Sequence, residues 1–311
     1  MLVVIALGGN ALLQRGEPLD ADTQRRNVRV AARAIAEIAT RHSVVVTHGN
    51  GPQVGLLALQ SAAYREVPPY PLDVLNAESE GMLGYVIEQE LRNCLPDREV
   101  VAILTQVEVA PDDPAFFAPS KPIGPLFDDT AARRLIREEG WRFASYGSGN
   151  RRVVASPEPV RLLELESIRL LVNQGVLVIC AGGGGVPVVF DSARRASGIE
   201  AVIDKDLSAA LLAIELGADR LLMLTDVPAV SSDWSAEGAR NIREASPSSL
   251  RSLAFEAGTM GPKIEAGCRF VERTGGEAGI GSLGDAAAIL DRHAGTVIRS
   301  GLYDIKMYAA D

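Results

Sequence analysis

Short apolar runs alternate with longer stretches of helical periodicity along the whole chain. Leu2–Leu7, Ser43–Thr47, Val100–Leu104, Val176–Cys180 and Leu221–Leu224 are almost uninterruptedly apolar, the pattern of strands covered on both faces. Between the first two, Thr23–Arg41 places Val28, Ala31, Ala32, Ile35, Ile38 and Ala39 on one side of a helix. Val74–Asn93, Pro159–Gln174, Leu207–Leu216 and Gly261–Thr274 are predicted as further helices. Strand and helix in alternation imply an α/β chain, an αβα sandwich around a largely parallel sheet. In such sheets ligands collect at the carboxyl ends of the strands, so the loops there are where chemistry is expected.

One segment breaks the alternation. Pro111, Pro114, Pro119, Pro122 and Pro125 exclude regular helix, and a short helical pattern and the β-prone stretch Trp141–Ala155 follow. A structureless loop of that length would be unusual, so residues 111–159 are expected to form a small subdomain inserted into the sandwich. The end of the chain, Gly301–Asp311, follows the last strand-like run and reads as an appended, weakly packed tail.

Composition narrows the function. Acidic residues outnumber basic ones, for a net charge of −9, which disfavours a nucleic-acid partner and an anionic membrane surface. No apolar stretch is long enough to span a bilayer. Cys94, Cys180 and Cys268 are too scattered for a disulfide framework or a zinc site, and no basic residue precedes the apolar start as in a signal peptide. A cytoplasmic protein is expected. Of the 31 basic residues, 27 are arginine; Lys121, Lys205, Lys263 and Lys306 are the only lysines. Lysines that persist under such a bias are enriched where a compact, mobile point charge is needed.

The glycine-rich loops fall where the architecture wants them. Gly8-Gly9-Asn10 follows the first strand, and His48-Gly49-Asn50-Gly51-Pro52 follows the second, with proline suited to the first turn of a helix. Both can present backbone N–H groups to an anion. Gly182-Gly183-Gly184-Gly185 follows a third strand, and the close approach of a ligand is the natural reason for four glycines together. Neither a dinucleotide fingerprint nor a P-loop fits these spacings, and no His-Glu-x-x-His or Gly-x-Ser-x-Gly occurs. His42, His48 and His293 lack ligand-like spacing and are read as structural. Asp204-Lys205-Asp206 brackets a lysine with carboxylates, Asp226 ends a strand, and Gly258-Thr259-Met260-Gly261-Pro262-Lys263 opens a helix. Pro119-Ser120-Lys121-Pro122 carries a further lysine on a stiff loop. Lysines, one or two organising aspartates and anion loops, without a catalytic histidine, are the equipment of phosphoryl transfer.

Nine segments carry a family resemblance: ALGGNALL (6–13), THGNGPQVG (47–55), ESEGMLGY (78–85), PSKPIGP (119–125), RRVVASPEP (151–159), CAGGGGVPV (180–188), EAVIDKD (200–206), LTDV (224–227) and GTMGPKIEA (258–266). In this order and over nearly the full length, the chain resembles the carbamate kinases of the amino-acid kinase superfamily. Asn10, where much of the superfamily has lysine, points to that branch, with Lys121 standing in for the missing charge. The resemblance implies one open αβα sandwich over 1–311, used as a homodimer, with an acceptor lobe at 1–215 and a nucleotide lobe at 216–311. It implies that Gly8, Gly9, Asn10, Gly49, Asn50 and Gly51 hold carbamate or the phosphoryl group. Lys121 and Lys205 would neutralise developing charge and Asp206 would orient the lysines, while Asp226, Met260 and Lys263 face ATP. Mg²⁺ would be held mainly by the nucleotide phosphates, with no metal site built from protein side chains. Two departures stand out: Ser231 lies where the family usually has a nucleotide-contacting Tyr, with Trp234 the aromatic nearest to it, and Glu80 stands where Gln is frequent. The activity implied is reversible phosphoryl transfer between ATP and carbamate, giving ADP and carbamoyl phosphate. Its rivals are a kinase for another small acid and a nucleotide or carbamoyl-phosphate sensor without catalysis.

Overall fold

Leu2–Leu7 forms the centre of a nine-stranded sheet, because it is apolar on both faces and has a strand on each side. Ser43–His48, Leu177–Ile179 and Val100–Ala102 extend the sheet in one direction, all parallel. In the other direction follow Arg220–Thr225 and Glu277–Ser282, parallel, then Thr296–Ile298 and Ile242–Ala245, and finally the edge strand Lys306–Met307. This computed structural model describes residues 1–14, 16–232, 240–253 and 260–309, with the side chains of Asn10 and Ala11 outside that description.

Side-chain alternation assigns each strand residue to one of two layers. Val3, Ile5, Val44 and Val46 pack under helices Ala21–Ala39 and Leu72–Cys94, while Val4, Val45, Leu221 and Met223 pack under Lys205–Leu216 and Met260–Thr274. The helix Ala21–Ala39 begins where Asp20 accepts a hydrogen bond from the Thr23 amide at 2.8 Å. Among the described residues no helix is long and apolar enough to cross a membrane.

Three expectations change. The helix predicted over Pro159–Gln174 is a strand, Pro159–Leu162, followed by a helix only at Leu165–Asn173. Pairing with Gln106–Val109 decides this: Leu162 stands opposite Val107, and the Arg161 guanidinium donates to Glu108 at 2.8 Å. These two strands, with Val186–Phe190 and Ala196–Gly198, make a second, four-stranded sheet that periodicity did not reveal. The strand expected to run to Leu104 ends at Ala102, and Leu104 is half exposed. The tail is not merely appended: Lys306–Met307 closes the sheet edge, Lys306 reaches Glu244 at 3.3 Å, and the Tyr308 hydroxyl donates to the Gly295 carbonyl.

Residues 121–154 form a three-stranded antiparallel sheet, Lys121–Phe127, Gly149–Val154 and Arg142–Tyr146, with helix Asp129–Glu139 against it. Its seam with the sandwich is close. Gly124 meets Gly55 backbone to backbone, so that a Cβ on Gly55 would lie 2.0 Å from the Gly124 Cα. Ile123 and Val154 pack with Val54, Ala58 and Val202, and the Val202 amide donates to the Ala155 carbonyl at 2.9 Å.

Candidate active site

The carboxyl ends of the central strands bring the first two glycine loops together. The Gly8 amide donates to the Leu224 carbonyl at 2.8 Å and the Gly49 amide to the Leu7 carbonyl at 3.0 Å. These two glycines therefore contribute room and register, and their N–H groups are committed to neighbouring strands. A Cβ at Gly49 would lie 3.1 Å from the Gly9 nitrogen and 3.2 Å from the Lys205 Cδ. Gly9, Gly49 and Lys205 thus share one point. Gly9 and Asn10 open the short helix Gly9–Leu12, and Gly51 opens Gly51–Ala63 with Pro52 in its first turn, so both helix starts face this region with first-turn amides. The Asn10 side chain lies outside the described part of the structure. Asn50 has its amide group turned inward, donating to Asn76 and Ser79 at 2.8 Å each.

Three of the four lysines converge here. Asp206 lies between two of them, bonded to the Lys205 ammonium through Oδ1 and to the Lys263 ammonium through Oδ2 at 2.9 Å. Lys121, from the inserted sheet, reaches Asp204 Oδ2 at 2.8 Å. Asp204 also starts the helix Lys205–Leu216, its Oδ1 accepting from the Asp206 amide at 2.9 Å and the Leu207 amide at 3.4 Å. The sequence pattern marked the bracketed lysine; the capping and lysine-holding role of Asp204 needed the fold to become visible.

Three ammonium groups against two carboxylates leave the cluster one positive charge in excess, in a region shielded from water. Burial brings the Lys205 ammonium down to about 8 against the pull of Asp206. Burial also opposes the charge on Lys263, but Asp206 outweighs it and the pKa rises. Burial works against both carboxylates, yet Lys205 and Lys263 hold Asp206, and Lys121 above all holds Asp204, below the ordinary carboxylate range. Fixed positive charge in a low-dielectric site is what a transferring phosphoryl group requires.

The run Gly182–Gly185 is explained by the protein itself. Added Cβ atoms would lie 2.4 Å from His48 at Gly182, 2.1 Å from Asn50 at Gly183, 2.6 Å from the Ile203 carbonyl at Gly184 and 2.4 Å from Val107 at Gly185. Gly183, Gly184 and Gly185 also have positive φ, as does Ala181 before them. The close approach expected of a ligand is made by neighbouring chain. Glu80 holds this loop, accepting from the Gly182 amide at 2.8 Å and the Thr105 amide at 3.3 Å. Buried, and with no cation paired to it among the described residues, its carboxyl is pushed up to about 8, and burial brings His48 beside it down to about 4. Ser208, on the lysine-bearing helix, donates to the Gly184 carbonyl at 2.8 Å, so the loop links Asn50 to Lys205. The departure at Glu80 therefore sits at the residue that organises this loop. A cavity of about 510 Å³ lies behind it, lined by His48, Glu80, Tyr85, Arg92, Leu104 and Cys180, and none of the three lysines lines it.

On the nucleotide side the picture is looser. Asp226 is exposed just past the strand Arg220–Thr225 and accepts from the Thr225 hydroxyl at 3.1 Å. Met260 starts its helix half-buried against the core, and Lys263, one turn on, is drawn inward to Asp206. Ser231 bridges to Asn241. Gly258, Thr259 and Trp234 lie outside the described residues.

The amino acid kinase family profile matches residues 1–282. The chain belongs to that family. Among its members, the carbamate kinase of Rhizobium meliloti is 51% identical over 98% of this chain and 95% of that protein. The carbamate kinase of Haemophilus influenzae is 50% identical over 99% of this chain and its own full length. Among solved structures of the family, carbamate kinase from Giardia lamblia bound to AMP-PNP superposes with a TM-score of 0.87 at 40% identity, covering 96% of this chain and 98% of that one. The citric-acid-bound form of that protein gives 0.89 over the same shares. The resemblance carried by the nine segments is thus borne out, and so is the α/β fold it implied.

Proposed function

We propose that this protein is a carbamate kinase, catalysing reversible transfer of a phosphoryl group between ATP and carbamate. The observation that carries the reading is the Asp206 carboxylate holding Lys205 and Lys263 at one point, with Lys121 brought alongside through Asp204. In the ATP-forming direction a β-phosphate oxygen of ADP forms a bond to the phosphorus of carbamoyl phosphate. The bond from phosphorus to the carbamoyl oxygen breaks, and carbamate leaves with the electron pair. Nothing in this step needs an acid or base from the protein; it needs alignment and positive charge on the equatorial oxygens. Lys205 and Lys121 supply that charge, Asp206 fixes the lysines, and Lys263 faces the nucleotide phosphates. First-turn amides at Gly9, Asn10 and Gly51 hold the acceptor, with Gly8, Gly49 and Asn50 shaping the loops around it.

The acceptor belongs to a lobe spanning 1–215, with the subdomain at 111–159, and the nucleotide to 216–311, where Asp226 and Met260 flank it. Asp204 and Asp206 are already committed to ammonium groups, which fits Mg²⁺ arriving on the nucleotide phosphates, whose charge it would neutralise. A homodimer in the cytoplasm is the assembly and compartment that accompany this reading; the three thiols, two of them buried, suit a reducing environment. Incubation with ADP and carbamoyl phosphate, followed by luciferase detection, tests the proposal. ATP formation dependent on both substrates is expected; nucleotide binding without turnover would overturn it.

A further inference from the structure

We propose that Asp204 is a positioning residue for this reaction, seating Lys121 of the inserted sheet against the helix start that carries Lys205 and Asp206. One carboxylate performs two tasks with different oxygens. Oδ1 caps the helix Lys205–Leu216 through the Asp206 and Leu207 amides, which fixes where Lys205 and Asp206 begin. Oδ2 holds the Lys121 ammonium at 2.8 Å, across a span of 83 residues and from a separate sheet. Both side chains are largely buried, 22% and 17% exposed, so the pair is shielded from the screening that makes surface ion pairs weak.

The surroundings make this the adjustable contact of the seam. The described contacts of Gly55 on Gly124, of Ile123 and Val154 on Val202, and of the Val202 amide on the Ala155 carbonyl are apolar or backbone, and the further ion pair between Arg65 and Glu138 at 3.0 Å is exposed. Those contacts fix the distance between the inserted sheet and the sandwich but cannot direct a flexible four-carbon side chain. Asp204 does, because it is tied to the same helix turn as Lys205. The two lysines thereby share one reference point although they come from different parts of the chain. The carboxylate touches no reacting atom; it acts through Lys121.

This inference rests on the phosphoryl-transfer reading, and a double-mutant cycle with a second, substrate-free readout separates the two. The proteins are the full chain, Asp204→Asn, Lys121→Met and the double variant. Asparagine remains a good helix cap, so the variant removes the charge that holds Lys121 while keeping the helix start. Asp204→Ser, which also caps but is too short to reach Lys121, serves as the second version. In ATP formation from ADP and carbamoyl phosphate, kcat is expected to fall about 10- to 100-fold in either Asp204 variant, the range for a misplaced catalytic group. The KM for ADP should stay within about twofold, and Asp204→Asn should cause no further loss once Lys121 is Met. Hydrogen exchange at the Val202 amide, read without substrates, should quicken in both single variants and no further in the double. Losses that multiply independently, wild-type turnover in the Asp204 variants, or unchanged Val202 exchange would each overturn the inference. A wild-type protein that makes no ATP would instead defeat the functional reading, and the exchange measurements would still decide the role of Asp204.

Discussion

Replacing Asp206 by Asn tests whether the lysine cluster is held by charge. Asp206 is 4% exposed and lies between Lys205 and Lys263, 10% and 7% exposed, so the substitution leaves two buried ammonium groups side by side with only an amide between them. Breaking a buried pair in this way costs about 3–5 kcal/mol, which for a chain of this size is a loss of roughly 5–8 °C in Tm. The protein has one outlet, because Lys205, already down at about 8, can release its proton. The sign follows from that. A lysine whose folded pKa is depressed withholds stability at low pH and regains it as pH rises from the folded toward the unfolded value. Lowering the Lys205 pKa further in the variant widens the gap below pH 8, and above it both proteins carry a neutral Lys205. The Tm difference should therefore be larger at pH 7 than at pH 9.5. Thermal unfolding followed by circular dichroism at the two pH values measures this. A Tm change under about 1 °C at pH 7, or a deficit that grows with pH, would refute the charge argument.

Two further outcomes follow from the same geometry. Lys205→Arg should lower turnover by about 100-fold in the coupled ATP assay with the fold retained, because a planar guanidinium does not reproduce the compact ammonium held against Asp206 and loses a charge contact made in the transition state. The kcat/KM for carbamoyl phosphate should fall as pH rises through about 8, where free Lys205 loses its proton, while the falling limb of kcat lies higher because bound phosphate favours the charged lysine; a flat kcat/KM between pH 7 and 9 would exclude Lys205 as the titrating group.

The main sheet was legible in the sequence because its central strands are buried on both faces. Leu2–Leu7 and Leu221–Leu224 could be neither amphipathic helix nor edge strand. The second sheet was not, because Pro159-Val160-Arg161-Leu162 carries no alternation strong enough to oppose the helical spacing after it, and pairing with Gln106–Val109 decided the matter. The lysines were legible through a compositional accident: in a chain that uses arginine almost everywhere, three of four lysines meet around Asp204 and Asp206. What composition cannot show is which partner holds a given residue. Gly182–Gly185 advertised a close approach correctly, but the neighbours turned out to be His48, Asn50, Ile203 and Val107. Glu80 stood out only as an acid where the family often has Gln; its importance comes from two amides supplied by distant loops. Lys306 read as part of a loose tail because its partner, Glu244, lies 62 residues away.

Phosphorus NMR of the full-length protein mixed with Mg²⁺, ADP and carbamoyl phosphate, alongside the Lys205→Arg variant at equal concentration, tests the central claim most directly. The account predicts that the carbamoyl-phosphate resonance declines in step with the appearance of the ATP γ-phosphate in the wild-type sample, and that both stay nearly constant in the variant. Loss of carbamoyl phosphate to inorganic phosphate alone, or equal ATP formation by the two proteins, would contradict it.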